Sequence, residues 1–251
     1  MATADRVLAV LGLFTMERPE WTVDAIAAEL GLSGSTAYQY VGSLAKAGLL
    51  VTSRAGRYTV GPAAIELDRI ARRVDPLARR ARSILCDLVE KSDVKAIGLL
   101  CRLYRFHVMC VDQYVLDPPG LEVSYERGRP MPLTRGSASR VILANLPARP
   151  LRRFFERAGH AEPGIAPGTG WEDFKREVKR IKQAGVLVAV GELDPGALGI
   201  SAPVFGEDGI ILGSISLVLA APAVEDPAGI WRLKDLVRAA GVAVTKALQS
   251  D

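Results

Sequence analysis

Three groups of polar residues in this 251-residue chain have types and spacings suited to chemistry. Ser33, Ser35, Thr36, Tyr38, Gln39 and Ser43 crowd one short stretch. They are neutral donors and acceptors of the kind that hydrogen-bond base edges and phosphate oxygens. Arg54 and Arg57 flank Ala55-Gly56, a placement that lets two guanidiniums meet phosphates or a minor groove. Further on, Thr134 precedes Arg135-Gly136-Ser137-Ala138. That order predicts an N-cap at Thr134, and backbone N–H groups beside the Ser137 hydroxyl that form an anion site. Ser214 and Ser216 alternate with Ile215 and Leu217, so their hydroxyls face the same side of a strand.

Catalytic chemistry is poorly supplied. The histidines are His107 and His160, both read as surface or loop residues, and no HExxH, GxSxG or P-loop pattern occurs. Cys86, Cys101 and Cys110 form no CxxC pair and no even framework, which fits a reduced cytoplasmic compartment. Cys101 and Cys110 fall on strand-like segments and read as buried core thiols, with a ligand contact or redox role as the alternative. No zinc site, cofactor or enzyme is expected. Apolar residues make up 49% and charged residues 24%, which excludes collagen-like and largely disordered classes. The net charge of +4 is compatible with a polyanion without requiring one. No apolar run reaches a membrane span, and no secretory leader is expected.

The elements that position these residues follow from periodicity. Residues Val7–Phe14 read as a helix. Thr22 is an N-cap with Asp24 in the first turn, Trp21 and Ile26 suit a hydrophobic staple, and Gly31 is a stop. After only Leu32, Ser33 caps a second helix with Ala37, Tyr40, Val41 and Leu44 inward and Ser35, Tyr38, Gln39 and Gly42 outward. Residues 49–52 and 57–60 are β-like. Helix, short helix, tight turn, helix and two-stranded wing is the order of a winged helix-turn-helix, whose second helix fits the major groove. The same elements also suit a small helical domain for protein contact.

Pro62–Val74 reads as a separate connecting helix, with Asp75-Pro76 starting the next. Six arginines between Arg69 and Arg82 form either a solvated basic face or a set of groups for DNA or acidic partners. Beyond them, strands are predicted at 94–103, 108–114, 121–125, 186–190, 200–205 and 210–219, with a hairpin turn at Glu207-Asp208-Gly209. Helices are predicted at 137–146, 151–158, 171–184 and 228–249. This pattern implies an antiparallel sheet with helices packed on it, an α+β fold.

Residues 25–32, Ser35-Thr36, residues 44–49 and residues 57–62 resemble the IclR family of bacterial transcription regulators. The resemblance continues through Arg127-Gly128, Pro132-Leu133-Thr134, Leu143-Ala144, Gly185 and the long segment Gly191–Phe205. It implies a winged helix-turn-helix over 1–61, a connecting helix over 62–75 and a GAF-like effector domain over 76–251. It also implies DNA contacts by Ser33, Ser35, Thr36, Tyr38, Gln39, Ser43, Arg54 and Arg57. The implied effector contacts are Ser137, Ala138, Asp194, Gly199, Ser201 and Ser216. Implied partners are double-stranded operator DNA, a small organic effector, and a second copy in a dimer or tetramer. Repression in the cytoplasm is the implied activity. Gly34 and Gln39 stand where the family often has basic residues, which moves phosphate anchoring toward the wing and the helix ends. Ser139-Arg140 stand where it often has Gly-Lys. Val218 replaces a second strand serine and favours a bulkier or aromatic ligand. The alternatives are a ligand sensor whose winged helix binds protein, and a small-molecule enzyme on a GAF-like scaffold.

Overall fold

Local capping chemistry sets the first elements. In the computed structural model, which describes residues 3–54, 56–158, 170–224 and 226–250, the chain separates into two units, Met1–Asp75 and Pro76–Asp251. Ala55 and His160 lie outside the described residues. The first unit contains α1 (Thr3–Leu11), β1 (Trp21–Thr22), α2 (Val23–Leu30), α3 (Gly34–Lys46), β2 (Leu50–Arg54), β3 (Arg57–Val60) and α4 (Ala63–Val74). Thr22 Oγ1 accepts from Ala25 N at 3.2 Å, and Gly31 ends α2 in the left-handed region at φ +61°. Ser33 Oγ accepts from Thr36 N at 3.3 Å and so starts α3. Ile26, Ala37, Val41, Leu44 and Leu50 join Val10 and Trp21 in one core. Burying each large aliphatic side chain contributes about 1.5–3 kcal/mol.

Two features differ from the periodicity. The first helix ends at Leu11, not Phe14: the N–H groups of Gly12, Leu13 and Phe14 reach back only three residues, so the chain tightens into a turn. Phe14 still packs on the core, which is why its spacing looked helical. The wing is three-stranded in the order β1-β3-β2, because Trp21 pairs with Tyr58 and Thr22 with Arg57. Two residues are too few to show strand alternation.

The second unit contains α5 (Pro76–Ser92), β4 (Ala96–Tyr104), β5 (His107–Val115), β6 (Pro130–Pro132), α6 (Ser137–Ala144), α7 (Ala148–Ala158), α8 (Trp171–Ala184), β7 (Leu187–Val190), β8 (Ala197–Phe205), β9 (Ile211–Ala220) and α9 (Pro227–Gln249). The strands form one antiparallel sheet in the order β6-β5-β4-β9-β8-β7. Alternate residues of β9 face opposite layers. Ile215, Leu217 and Leu219 pack with Leu77, Leu85, Leu233 and Val237 of α5 and α9. Val218 packs with Val141 and Ile142 of α6, and with Phe174 and Val178 of α8. Covering both faces explains why β9 is nearly continuously apolar.

Residues 121–125 are not a strand. Gly120 at φ +72° turns the chain, and Ser124 N donates to the Asp194 carboxylate instead of to a neighbouring strand. The sheet edge is taken by Pro130–Pro132 opposite His107–Met109, an edge position where missing N–H groups do no harm. The arginine run divides by task. Arg80 of α5 donates to Ala247 O at 2.6 Å and Leu248 O at 3.3 Å, at the C-terminal end of α9. Arg232 of α9 returns the contact, donating to Ser92 O at 2.6 Å and Lys91 O at 3.3 Å at the end of α5. Each cation thus satisfies the orphan carbonyls and the negative dipole end of the other helix. Arg82 grips Asp112 at 3.0 Å and Gln113 O at 2.9 Å, whereas Arg72 pairs with Asp68 on the connecting helix itself.

Replacing Arg80 with Ala leaves the last carbonyls of α9 to water and costs about 1–2 kcal/mol. Thermal unfolding of the R80A chain is expected at a midpoint lower by a few degrees, with R232A showing a similar loss.

Candidate functional site

Two surfaces gather the candidate residues. On α3 the inward row Ala37, Val41 and Leu44 is buried, while Ser35, Tyr38, Gln39 and Ser43 are exposed. Tyr38 is 68% exposed. Among the described residues, neither the Tyr38 hydroxyl nor the Gln39 amide has a hydrogen-bond partner. The hydroxyls nearer the cap are engaged with each other: Ser33 Oγ lies 2.8 Å from Thr36 Oγ1 and 3.1 Å from Ser35 Oγ. Ser43 Oγ donates to Gln39 O at 2.9 Å. Ser33 and Ser43 therefore have local work in shaping the helix, and Tyr38 and Gln39 are the side chains with their polar ends unengaged. On the wing, Arg54 and Arg57 stand opposite each other across the β2–β3 pair, both exposed. Arg57 is 4.0 Å from Glu20, a loose contact that leaves most of its donor capacity available.

The second surface is a pocket between α6, the β7–β8 loop and the sheet. Tyr125, Gly136, Ser137, Ala189, Gly191, Glu192, Leu193, Asp194, Ala197, Gly199 and Val218 line it. The room inside is about 30 Å³, on the scale of one water molecule. Of the six residues singled out from the sequence, Ser137, Asp194 and Gly199 line the pocket, while Ala138, Ser201 and Ser216 stand behind it. Ser201 Oγ lies 2.8 Å from Ser137 Oγ and 2.7 Å from Ser216 Oγ. One hydroxyl carries one proton, so Ser201 donates across one contact and accepts across the other. This buried chain ends at the pocket wall. Gly199 makes it feasible: a Cβ there would come within 2.5 Å of Ser137 Oγ. Ser214 faces the same way and donates to Ala138 O at 3.1 Å.

The start of α6 is built otherwise than its sequence predicts. Gly136, at φ +78°, occupies the cap position and supplies no side-chain bond, and Thr134 is buried without capping the helix. The carboxylate of Glu192 reaches the entry to the helix from outside, accepting from the N–H of the cap residue Gly136 at 3.2 Å and pairing with Arg140. Arg135 donates to Glu192 O at 3.1 and 2.6 Å. Arg140 also pairs with Glu177 at 2.8 Å. Arg180 chiefly, with Arg140, holds the Glu177 carboxyl below the usual carboxylate range. Asp194 accepts from Ser124 N at 2.9 Å and from the Ser124 hydroxyl, so it fastens the β5–β6 segment to the β7–β8 loop. Tyr125 reaches Ser139 Oγ at 2.8 Å, and burial raises its phenol well above the ordinary value, leaving it a neutral hydrogen-bonding group.

Sequence reasoning missed Ser124, Tyr125 and Glu192 as neighbours of this pocket, and gave Arg135, Ser139 and Arg140 a place beside it without a partner. The clue for Glu192 was its charge, opposite to that of Arg140, inside a turn-forming stretch. Cys101 and Cys110 face each other across β4 and β5, fully buried. Their mutual hydrogen bond, with burial, pushes the Cys101 thiol well up. Cys101 is thereby held away from the thiolate form that reacts.

Comparison with known proteins places both surfaces in one context. Residues 3–54 match the model of the IclR helix-turn-helix domain, and residues 72–246 match that of the bacterial transcriptional regulator IclR C-terminal region. The HTH-type transcriptional regulator KipR of Bacillus subtilis is 24% identical over 216 residues, covering 86% of this chain and 84% of that protein. A solved IclR-type regulator from Silicibacter superposes with a TM-score of 0.81 at 18% identity, over 100% of this chain and 97% of that one. An IclR homologue from Microbacterium hydrocarbonoxydans, complexed with 4-hydroxybenzoate, superposes with a TM-score of 0.73 at 22% identity over the whole of both chains.

Substituting Ser201 with Ala breaks the middle of the buried hydroxyl chain and strands Ser137 and Ser216. The expected cost is about 1–3 kcal/mol, read as a lower denaturation midpoint in urea with the slope unchanged.

Proposed function

The chain belongs to the IclR family of bacterial transcriptional regulators, and on that premise we propose that it represses transcription in the cytoplasm by binding operator DNA under the control of a small organic acid. The observation that carries this reading is the outward flank of α3, where Tyr38 and the Gln39 amide stand exposed beside hydroxyls already ordered by the Ser33 cap. Side chains so placed meet base edges when the helix enters a major groove. Arg54 and Arg57 supply phosphate contacts from the wing. With Gly34 and Gln39 uncharged, the wing carries more of the electrostatic anchoring.

A single reading helix touches few base pairs, so specificity calls for two copies on paired half-sites. The connecting helix α4 supports pairing: Ile65, Leu67, Ile70 and Val74 are exposed along it. We assign the dimer or tetramer seam in part to this row.

The pocket of the second unit takes the effector. Its apolar lining by Ala189, Leu193, Ala197 and Val218 suits a ring better than a two- or three-carbon acid. The 4-hydroxybenzoate bound by the Microbacterium homologue is a ligand of that class. Binding there biases the spacing of two reading helices through the connector, and repression is the family's commoner outcome. The family's regulators act by binding, and no catalytic step is part of this reading.

Duplexes selected by the full chain from a random DNA pool test the reading. R57A is expected to weaken binding to all selected sequences alike and to flatten the salt dependence by about one unit of slope. Q39A is expected to change sequence preference, at about 1–3 kcal/mol for the affected base pair. Failure of the chain to enrich any sequence would favour the protein-binding alternative. Titration with aromatic acids and with pyruvate-like acids should give tighter binding of the former; the reverse order would overturn the aromatic assignment.

A further inference from the structure

The β7–β8 loop is bounded by Gly191 at φ +62° and Gly196 at φ +78°. Beyond its own turn, two side-chain carboxylates fasten it to the domain, and the Arg135 guanidinium holds its backbone at Glu192 O. Asp194 holds Ser124. Glu192 holds Gly136 N and Arg140 at the start of α6. Both carboxylate fastenings are charge-assisted, and Gly136, Glu192 and Asp194 line the pocket that the proposed function assigns to the effector.

Gly136 N and the Arg140 guanidinium are donors only, and they converge on the carboxylate of Glu192, which lines the pocket. Glu192 already occupies them. Arg140 is also shared with Glu177, which Arg180 holds as well. A further carboxylate beside Glu192 would sit against a like charge whose donors are already taken. Space argues the same way, because the room inside, about 30 Å³, is far below that of an aromatic acid.

We propose that Glu192 is a specificity-determining residue: a tethered carboxylate that stands in for the effector's own and must be displaced by it. An acid that takes over Gly136 N and Arg140 releases Glu192, and the loop Gly191–Gly196 swings out on its two glycines to make room. A neutral molecule of the same shape has nothing to exchange for Glu192 and leaves the loop shut. The pocket thereby selects acids over their amides by exchanging one carboxylate for another. The inference rests on the effector pocket described above and names the residue that sets its ligand class.

The test compares benzoate with benzamide on the full-length chain and its E192Q and R140Q variants, by calorimetric titration. Gln keeps the hydrogen bond to Gly136 N, and Arg135 still holds the loop backbone, so thermal melting confirms that E192Q is folded. E192Q is expected to tighten benzoate about tenfold, a typical size for removing one coupled competitor, with benzamide unchanged. R140Q is expected to weaken benzoate and leave benzamide unchanged. Amide exchange across residues 191–196 should rise in E192Q without ligand, and in the unmodified chain on adding benzoate. If the unmodified chain binds benzoate and E192Q binds it no tighter, the displacement proposal falls and the effector pocket stands. If neither binds any acid, the effector assignment of this pocket falls and takes the proposal with it.

Discussion

The second unit is organised around an uncapped helix start pressed against a fully covered sheet. Gly136 brings the chain into α6 in a left-handed conformation and offers no oxygen to the orphan N–H groups behind it. Glu192, from a loop distant in sequence, accepts from the N–H of Gly136 just ahead of the helix, Arg140 balances the charge, and Ser137 turns inward to join the Ser201–Ser216 chain. The pocket is what remains between these contacts, small because they are all made.

Under the displacement we propose, the second unit has two ways of being satisfied: either the Glu192 carboxylate holds Gly136 N and Arg140, or an external acid does. Two arrangements of comparable energy are what a ligand-controlled switch requires, since a ligand shifts an equilibrium only by its differential affinity for the two states. The first unit has no such ambiguity. Thr22 and Ser33 cap their helices, and Ala37, Val41 and Leu44 fix which flank of α3 turns outward.

What the sequence made legible was local. A cap, a stop glycine and a helix face are decided within a few residues, so Thr22, Gly31, Ser33 and the outward Tyr38–Gln39 flank could be read directly. Strand parity put Ser214 and Ser216 on one face, where their hydroxyls indeed lie toward α6. What escaped was non-local. The Arg140–Glu192 pair joins residues 52 apart, and no periodicity encodes it. Thr134 carried the composition of a cap but not its geometry. Residues 121–125 carried the composition of a strand, but Asp194 claims the Ser124 N–H that a strand partner would have used. The arginine run looked uniform, yet Arg80 and Arg82 serve helix ends and a strand while Arg72 stays on the connecting helix.

In the proposed function an acid-responsive pocket is coupled to a DNA-reading helix, and thermodynamic linkage makes that coupling measurable in either direction. The direct measurement is the affinity of the full-length chain for an aromatic acid, taken with and without a saturating duplex selected by the same chain. A coupled regulator shows two different values, apart by about 5- to 150-fold, and the acid alters duplex affinity by the same factor. Equal affinities in the presence and absence of the duplex would contradict the account.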